Sequence, residues 1–305
     1  MRLDADAGRP RVLDRDTILR DERGATVGAG ARYLGYGVME AFPSRNKETE
    51  AGQLTRSCLA APFDVVLRIG ARETRSLQSV TPALRLFGLL GGLGSKSRKG
   101  YGSTNLTVLE GDGVDRWRAP RSEDEYREEL RTLLRHAKGR HEVPDISAFS
   151  AHARIKLFES HRTPLEALNA YGEAMVRYRS WGNNNWILDR ERPRRCFTED
   201  HDWMYDRPPS PDFHPRRAVF GLPHNYGRRK TVEPELHDRR ASPLLFHVHE
   251  IGSRYVGVAV LLRSRFLPKD ERIRAGGRKV PAKPDWPVLT KFLDDYGRRT
   301  IWPNG

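Results

Sequence analysis

The chain has 305 residues, of which 37% are hydrophobic, and a formal net charge of +14. Its length indicates roughly two domains of about 150 residues each, and its excess of basic side chains favours a polyanionic partner, the alternative being a basic but inert surface. Two distant cysteines and no apolar run near the roughly 20 residues of a membrane span exclude a disulfide framework and a transmembrane helix. We therefore expect a soluble, cytoplasmic protein without a membrane partner.

The N-terminal part of the chain shows few periodic patterns. Residues 1–30 are polar, charged and dotted with glycine, which predicts a poorly ordered segment or an edge element without a partner. Residues 32–42 mix aromatic side chains with glycine and are expected to hold one short strand. In residues 63–69 every second side chain is large and apolar, a pattern typical of a half-buried strand.

A helix is predicted to follow that strand. Thr81-Pro82 is a favourable start, because a capping hydroxyl precedes a proline at the first helical position. Apolar residues continue at helical spacing, and Gly91-Gly92 is expected to end the helix, since glycine readily adopts the left-handed terminal conformation. With a further strand at 105–109, this order is half of a ferredoxin-like fold, so we predict an incomplete first ferredoxin-like unit over residues 31–120.

Two capping boxes mark helices in the rest of the chain. Ser122 is followed three residues later by Glu125, and Thr163 by Glu166, and an apolar stripe comes after each box. Alternating or continuous apolar residues predict strands, and a last apolar segment predicts a short helix. The strands are expected at 153–157, 244–250 and 255–262, and the helix at 286–296.

Residues 180–240 differ in composition from the segments on either side. They are dense in arginine, proline, histidine and aromatic residues, which predicts a long irregular insertion with a short ordered piece at Val219–Leu222. The predicted fold class is therefore α+β, with a second ferredoxin-like unit over residues 121–305 that carries this insertion.

The most distinctive segment is the glycine-rich loop, which we define as residues 91–103. It holds five glycines and three cations in thirteen residues. Glycine lets a backbone approach a partner closely, and lysine and arginine supply the charge that phosphates attract. We predict phosphate contacts here, the alternative being a solvated cationic turn, and Tyr101 is expected either to stack on a base or to pack beneath the loop. The candidate binding residues are Gly91, Gly92, Gly94, Ser95, Lys96, Ser97, Arg98, Lys99, Gly100, Tyr101 and Gly102.

The glycine-rich loop does not match the common nucleotide-binding motifs. Ser95 separates Gly94 from Lys96, and a phosphate-binding P-loop follows a strand and opens a helix, which is the reverse of the order predicted here. The dinucleotide fingerprint also fails, because Gly92-x-Gly94 has no glycine three residues further on.

Quoted with its flanks as LLGGLGSKSRKGYGS, the loop resembles the signature loop of the RAMP superfamily of CRISPR–Cas proteins. Three further segments follow in order and narrow the resemblance to the family of first subunits of the Cmr complex, the type III-B RNA-guided effector. Members of that family usually open with a strand, a glycine-rich segment and an arginine-bearing helix that have no counterpart before Arg32, so we expect a truncated or separately encoded N-terminus. The three segments are Val219–Pro223, Arg239–Leu244 and Phe266–Pro268.

This resemblance implies an RNA-binding subunit, without nuclease activity, at the end of a ribonucleoprotein filament used in antiviral defence. Its implied partners are the CRISPR guide RNA, the target RNA and the other Cmr subunits, and target cutting is associated with the repeated backbone subunit. Arg239 and Arg240 join the candidate RNA-binding residues because they lie inside one of the family-like segments. We expect neither a cofactor nor a metal site.

Other charged and aromatic clusters have simpler interpretations. Arginine clusters line either an RNA channel or solvated faces. Two histidines on one strand face lack a third ligand, so surface histidines are favoured over a metal site. An Asp-His-Asp run is expected to form a solvated turn rather than a metal cluster. Three tryptophans are expected to be packing anchors rather than platforms on which bases stack. The residues concerned are, in that order, 194–195, 216–217, 228–230 and 239–240; His247 and His249; Asp200-His201-Asp202; and Trp181, Trp186 and Trp203.

Two alternatives to an RNA-binding subunit remain open. A metal-independent RNA endonuclease of the same superfamily would use a histidine such as His214 or His224 as general base. A decayed fragment would no longer assemble into the complex.

Overall fold

The computed structural model describes residues 2–4, 10–43, 46, 48–70, 74–112, 115–182, 184–188, 191–226 and 230–303. Its helices are α1 (Ala29–Leu34), α2 (Thr74–Leu90), α3 (Glu123–Leu133), α4 (Pro164–Arg179), α5 (Thr198–Met204) and α6 (Trp286–Tyr296). Its strands up to the middle of the chain are β1 (Arg2–Asp4), β2 (Val12–Leu13), β3 (Cys58–Leu59), β4 (Val66–Arg68), β5 (Val108–Leu109), β6 (Trp117–Arg118) and β7 (Arg154–His161). The remaining strands are β8 (His224–Tyr226), β9 (Lys230–Pro234), β10 (Leu244–Ile251), β11 (Arg254–Leu261), β12 (Arg272–Ala275), β13 (Arg278–Pro281) and β14 (Arg299–Trp302).

One four-stranded sheet has the ferredoxin-like arrangement. Its spatial order is β10-β11-β7-β14, and α4 follows β7 while α6 precedes β14, which gives the chain order βαββαβ. Gly252 and Ser253 form the tight turn between β10 and β11. β14 pairs antiparallel with β7, with Arg299 opposite Leu157. The predicted α+β class is therefore confirmed.

The chain divides into two compact units that are discontinuous in sequence. Unit 1 comprises residues 1–133, 160–172 and 247–256, and unit 2 comprises residues 134–159, 173–246 and 257–305. The domains predicted from the sequence, 1–30, 31–120 and 121–305, are each continuous, whereas these two units are not.

Aromatic side chains fill the core of unit 2. The Phe292 ring lies 5.5 Å from that of Tyr178 and 6.2 Å from that of Phe158, measured between centroids, and it is fully buried. The Tyr178 hydroxyl donates to the Val288 carbonyl at 2.8 Å, so this buried hydroxyl is satisfied. The apolar face of α6 supplies Phe292 to this core, and α6 has the bounds that the sequence predicted.

Both predicted capping boxes are formed. The Glu125 backbone N–H donates to Ser122 Oγ at 3.2 Å, and the Glu166 N–H donates to Thr163 Oγ1 at 3.1 Å. The carboxylate of Glu166 accepts the N–H of Thr163 in return, at 3.3 Å, which completes the reciprocal box. These caps fix the starts of α3 and α4.

The segment predicted to be an irregular insertion is more ordered than its composition indicated. It contains α5, the strands β8 and β9 and a short 3-10 helix at Arg216–Phe220. β9 pairs with β12, and β12 with β13, in a four-stranded antiparallel sheet of order β13-β12-β9-β8. No pattern in the sequence had predicted β12, β13 or β14.

The N-terminal predictions need several corrections. Residues 10–30 contain β2, which pairs with β3, and the start of α1, where a poorly ordered segment was expected. The segment 32–42, expected to be a strand, instead contains the end of α1. The helix predicted to start at Thr81 begins at Thr74, so Pro82 lies inside it. β4 is present but its residues are exposed rather than half-buried.

None of the described helices combines the length and the apolar character needed to cross a bilayer.

Candidate nucleic-acid interface

The glycine-rich loop is closed at its base by backbone pairing. Gly92 and Ser103 form an antiparallel bridge, and the Leu93 N–H donates to the Gly102 carbonyl at 2.8 Å. Gly102 has a φ of +67°, and a Cβ atom placed on it would lie 2.1 Å from the Leu93 carbonyl oxygen. Only glycine fits this position, because a side chain would meet rigid backbone in a disfavoured conformation.

Tight turns shape the middle of the loop. The Lys99 N–H donates to the Lys96 carbonyl at 2.8 Å, and the Gly100 N–H donates to the Ser97 carbonyl at 3.2 Å. Leu93, Gly94 and Ser95 are exposed, whereas residues 96–99 are half-buried. The loop therefore presents a short exposed segment, residues 93–95, on a hydrogen-bonded frame, and we call this segment the tip.

Cationic side chains gather beside the loop at Gly37. A Cβ atom on Gly37 would lie 3.7 Å from Lys96 Nζ, so the Lys96 ammonium lies close to this backbone. Arg56 is exposed, and its Nη2 donates to the Gly37 carbonyl at 3.2 Å. Burial lowers the pKa of Arg98, although an arginine with a lowered pKa still carries its charge at neutral pH. Arg56 is a cationic neighbour that the sequence analysis missed, since no local pattern links it to residue 96.

Tyr101 packs beneath the loop, which is one of its two predicted roles. Its hydroxyl donates to the Ala31 carbonyl at 2.8 Å, and its ring packs against the buried cluster of Val27, Met39 and Leu54. Burial raises the pKa of this phenol, which keeps it a hydrogen-bond donor. In this position Tyr101 supports the loop from below.

The last turn of α2, which leads into the loop, is capped by side chains from distant parts of unit 1. The Tyr126 hydroxyl donates to the Leu89 carbonyl at 2.7 Å, and Thr104 Oγ1 donates to the Phe87 carbonyl at 3.1 Å. The ring of His247 bonds the Gly91 carbonyl at 2.8 Å through Nδ1. The bond from Tyr126 satisfies a carbonyl that the helix end leaves without an intrahelical partner. The Phe87 and Gly91 carbonyls also accept backbone N–H groups, from Gly91 at 2.8 Å and from Thr104 at 3.2 Å.

His247 and His249 are buried, so the prediction of surface histidines is wrong. Each has about 1% of its surface exposed, and His247 Nε2 lies 3.1 Å from His249 Nδ1. Because a carbonyl only accepts, His247 Nδ1 carries the proton toward Gly91, and His247 Nε2 accepts from His249 Nδ1–H. Burial lowers the pKa of His247 to about 4, and burial together with the neighbouring His247 holds the pKa of His249 well below its ordinary value. Both rings are therefore neutral at pH 7.

β10 also holds the far end of the loop. The Val248 N–H donates to Ser103 Oγ at 3.0 Å, and Ser103 Oγ donates to the Gly100 carbonyl at 2.8 Å. The Glu250 N–H donates to Asn105 Oδ1 at 3.2 Å. His247 and Val248 of β10 therefore hold the two limbs of the loop, at Gly91 and at Ser103.

Arg239 and Arg240, the other predicted RNA-binding residues, belong to unit 2 and differ from each other. Arg239 is exposed. Arg240 donates from Nε to the Phe266 carbonyl at 2.6 Å, from Nη1 to the Ala241 carbonyl at 2.9 Å and from Nη2 to Ser264 Oγ at 3.0 Å. The guanidinium of Arg240 thus ties together segments of unit 2.

We expect Arg240→Ala to lower the free energy of unfolding by about 1–3 kcal/mol, because it removes three hydrogen bonds from a charged donor. Arg239→Ala is expected to change stability by less than about 0.5 kcal/mol, since the side chain is exposed. Urea denaturation of the two variants measures both values. Equal stability of the two variants would show that the bonds of Arg240 do not support the fold.

Most other predicted arginine clusters are paired with carboxylates within unit 2. Arg194 lies 3.1 Å from Asp295, Arg216 lies 2.6 Å from Asp285 and Arg217 lies 2.9 Å from Asp200. Arg228 and Arg229 lie outside the described residues.

The Asp-His-Asp run is part of α5 rather than a turn. Asp200 is fully buried and accepts the backbone N–H groups of Arg216 and Arg217 at 2.7 and 3.1 Å. The buried carboxylate of Asp200 therefore anchors the 3-10 helix of unit 2 to α5. No group of three metal-ligating side chains occurs among the residues that the structure describes.

Of the histidines considered as general bases, His214 is buried and His224 is half-buried. His214 Nε2 accepts the Lys283 N–H at 3.0 Å, which occupies the lone pair that a base would use. His224 Nε2 lies 3.4 Å from Arg179 Nη2, and burial holds the pKa of His224 well below its ordinary value. Both ring nitrogens of His214 thus have hydrogen-bond partners, and Nδ1 of His224 is buried.

The three tryptophans predicted as packing anchors have different environments. Trp203 is buried, as predicted. Trp181 is half-buried and stacks on His201, with 3.9 Å between ring centroids. Trp186 is 44% exposed, so the anchor prediction is wrong for this residue.

No protein-family model and no curated protein matches this chain. Among solved structures, the chain is similar to Cmr1 from Pyrococcus furiosus in its apo crystal form, with 18% sequence identity and a TM-score of 0.47. The similarity covers 96% of this chain and 77% of that chain. The resemblance of the glycine-rich loop to the RAMP signature thus stays an inference from the sequence.

Proposed function

We propose that this protein is a non-catalytic RNA-binding subunit of a type III-B CRISPR effector, and that its glycine-rich loop contacts the backbone of guide or target RNA. The observation that carries the proposal is a short exposed tip, held on a closed backbone frame, beside the side chains of Lys96, Arg98 and Lys99. The sequence resemblance to RAMP proteins supplies the choice of RNA as the polyanion and of Cmr subunits as partners.

The closed frame suits phosphate binding in particular. A frame held by hydrogen bonds from Tyr126, His247 and Val248 loses little conformational entropy when a ligand binds. Gly94 at the tip lets a sugar–phosphate chain approach the backbone, and Arg56 adds charge beside Lys96. Contacts of this kind position a strand without reading its bases.

The triple variant Lys96→Ala/Arg98→Ala/Lys99→Ala tests this proposal. We expect at least about tenfold weaker binding to single-stranded RNA, because three cations that neutralise phosphates are lost. The slope of log affinity against log salt should fall by about 2, at roughly 0.7 per phosphate contact on a single strand. Fluorescence anisotropy at several salt concentrations measures both quantities.

A matched control removes the same charge elsewhere. Arg272, Arg278 and Lys269 are exposed cations of unit 2, and their triple alanine variant also lowers the net charge by three. We expect this control to bind RNA within about twofold of the unaltered protein, since single-stranded binding follows contacts rather than net charge. Equal losses in the two triple variants, or no loss in either, would place the RNA on another surface.

Catalysis and assembly are tested separately. Incubation of the purified protein with labelled guide and complementary target RNA is expected to yield no cleaved product. Cleavage that His214→Ala or His224→Ala abolishes would support the endonuclease alternative instead. Stoichiometric copurification with the other Cmr subunits is expected, and its failure would favour a fragment that does not assemble.

A further inference from the structure

A second surface with the chemistry of a nucleic-acid site lies in unit 2, in the turn that follows α4. This turn closes on itself: Ile187 and Glu191 exchange two backbone hydrogen bonds of 2.8 Å each. A Cβ atom on Gly182 would lie 2.9 Å from Pro193 Cγ and 3.2 Å from the Trp186 carbonyl oxygen, so the two limbs of the turn touch. Arg177 of α4 binds Glu191 through Nε and Nη2 at 2.7 Å each, which fixes the turn to the helix.

Two arginine–aromatic stacks stand on this turn. The guanidinium carbon of Arg192 lies 4.2 Å from the centroid of the Trp186 ring. The guanidinium carbon of Arg195 lies 5.2 Å from the centroid of the Trp181 ring, and Trp181 stacks on His201 with 15° between the planes. A hydrogen bond from Arg195 to Asn185 links the two stacks.

Aromatic surface remains exposed on both stacks. Trp186 is 44% exposed, and Tyr205, whose ring centroid lies 4.9 Å from that of His201, is 57% exposed. Large exposed aromatic side chains on a hydrogen-bonded turn contribute little to the core, and their exposure to water is unfavourable. We call Trp181, Trp186, Arg192, Arg195, His201 and Tyr205 the arginine–aromatic surface.

The electrostatics of this surface favour an anionic ligand. Burial lowers the pKa of His201, and the nearby charges of Arg207, Arg195 and Arg217 lower it further, against the opposing effect of Asp202. The imidazole is thus neutral at pH 7 and lies near the cationic Arg195 and Arg207 and the anionic Asp202, whereas Arg217 is paired with Asp200. A guanidinium close to an aromatic ring can still donate N–H groups to a phosphate.

We propose that the arginine–aromatic surface binds single-stranded RNA by stacking unpaired bases on Trp186 and Tyr205 while Arg192 and Arg195 contact the phosphates. This inference rests on the proposed RNA-binding function and adds base stacking to the backbone contacts of the glycine-rich loop. Stacking accepts any base, so the surface would hold the strand without strict sequence preference. A mainly apolar protein partner is disfavoured, because it would bury guanidinium groups away from water.

The test uses the full chain and two oligonucleotides of equal length, oligoadenylate and an abasic ribose–phosphate chain. The variant Trp186→Ala/Tyr205→Ala is expected to bind oligoadenylate about tenfold or more weakly than the unaltered protein. Its affinity for the abasic chain should stay within about twofold, because no base is present to stack. The control Leu236→Ala removes another exposed apolar side chain of unit 2, which is 75% exposed, and should leave both affinities unchanged.

A fluorescence measurement guards against a folding artefact. Oligoadenylate should quench the tryptophan emission of the unaltered protein, and Trp186→Phe, which keeps an aromatic ring, should lose much of that quenching while retaining affinity within about threefold. Unchanged quenching in Trp186→Phe would show that no base reaches this ring.

The possible outcomes separate this inference from the proposed function. Full oligoadenylate binding by Trp186→Ala/Tyr205→Ala overturns base stacking but leaves the glycine-rich loop untouched. Equal losses for oligoadenylate and the abasic chain also overturn stacking, since they indicate charge or folding. Polyglutamate, measured in the same assay, serves as an acidic peptide. If the variant loses binding to polyglutamate but not to oligoadenylate, the surface recognises acidic protein rather than RNA. A loss confined to oligoadenylate here, with no loss in the triple loop variant, would support the surface and reject the loop.

Discussion

Gly102→Ala is expected to open the base of the glycine-rich loop and to weaken RNA binding, whereas Gly94→Ala should leave the loop closed. An alanine Cβ at position 102 would lie 2.1 Å from the Leu93 carbonyl oxygen, and the residue has a φ of +67°. The left-handed conformation alone costs alanine roughly 1–2 kcal/mol, and the clash also breaks the hydrogen bond between Leu93 and Gly102. We expect the closed loop to be destabilised by about 3 kcal/mol in total.

Gly94 is the matched control for this substitution. Its φ is +91°, but nothing lies within 4 Å of a Cβ atom placed on it, so only the conformational cost applies. Hydrogen–deuterium exchange of residues 87–104 should be much faster in Gly102→Ala and only slightly faster in Gly94→Ala. RNA affinity should follow the same order. Similar exchange in the two variants would mean that the base of the loop does not depend on the glycine at position 102.

The sequence predicted those parts of the loop that local chemistry determines. Two glycines follow the last residue of α2 where expected, although neither has the left-handed conformation that was predicted. The supports beneath the loop could not be predicted, because Tyr126 and His247 reach α2 from 37 and 156 residues away. Alternation in residues 244–250 identified the strand but gave no indication that its second face is also buried.

Long-range contacts explain the main errors near the N-terminus as well. Residues 29–34 form a helix because Asn169, from α4, accepts the N–H groups of Gly30 and Ala31 at 3.0 and 3.2 Å. A Cβ atom on Gly172 would lie 2.0 Å from the Gly30 carbonyl oxygen, so a close approach of two backbones stabilises the same helix. Neither contact can be predicted from the local sequence, in which aromatic residues favoured a strand.

The neighbours Arg239 and Arg240 show the same limit at the level of function. Both fit a basic, family-like segment, yet Arg240 uses its guanidinium to bind Phe266, Ala241 and Ser264, while Arg239 is exposed. Conversely, Trp186 was interpreted as a packing residue, and only its exposure and the position of Arg192 indicate a binding role. Residue type predicted the chemistry available, and the fold determines which side chains can use it.

Acidification is expected to destabilise unit 1 through the two buried histidines. The pKa of His247 is lowered to about 4 in the folded protein, against an ordinary value of 6.5 in the unfolded chain. Between these two values the unfolded state binds a proton that the folded state does not, so stability falls as the pH decreases from about 6.5 to about 4. At about 1.4 kcal/mol per pH unit, His247 alone accounts for a loss of roughly 3 kcal/mol, and His249 acts in the same direction.

The loss should appear first at the glycine-rich loop, because a proton on His247 Nε2 removes the acceptor for His249 Nδ1–H and disrupts the pair that holds the Gly91 carbonyl. A proton on His249 Nε2 instead places a buried charge beside this pair. Urea denaturation and hydrogen exchange of residues 87–104 at pH 7, 6 and 5 measure the effect. His247→Gln/His249→Phe keeps a donor near Gly91 and a ring beside Tyr126 but cannot titrate, so its stability should depend less on pH. His136 is exposed, and His136→Gln should retain the full pH dependence. A double variant as acid-sensitive as the unaltered protein would show that other groups cause the loss, and that the histidine pair does not couple protonation to the loop.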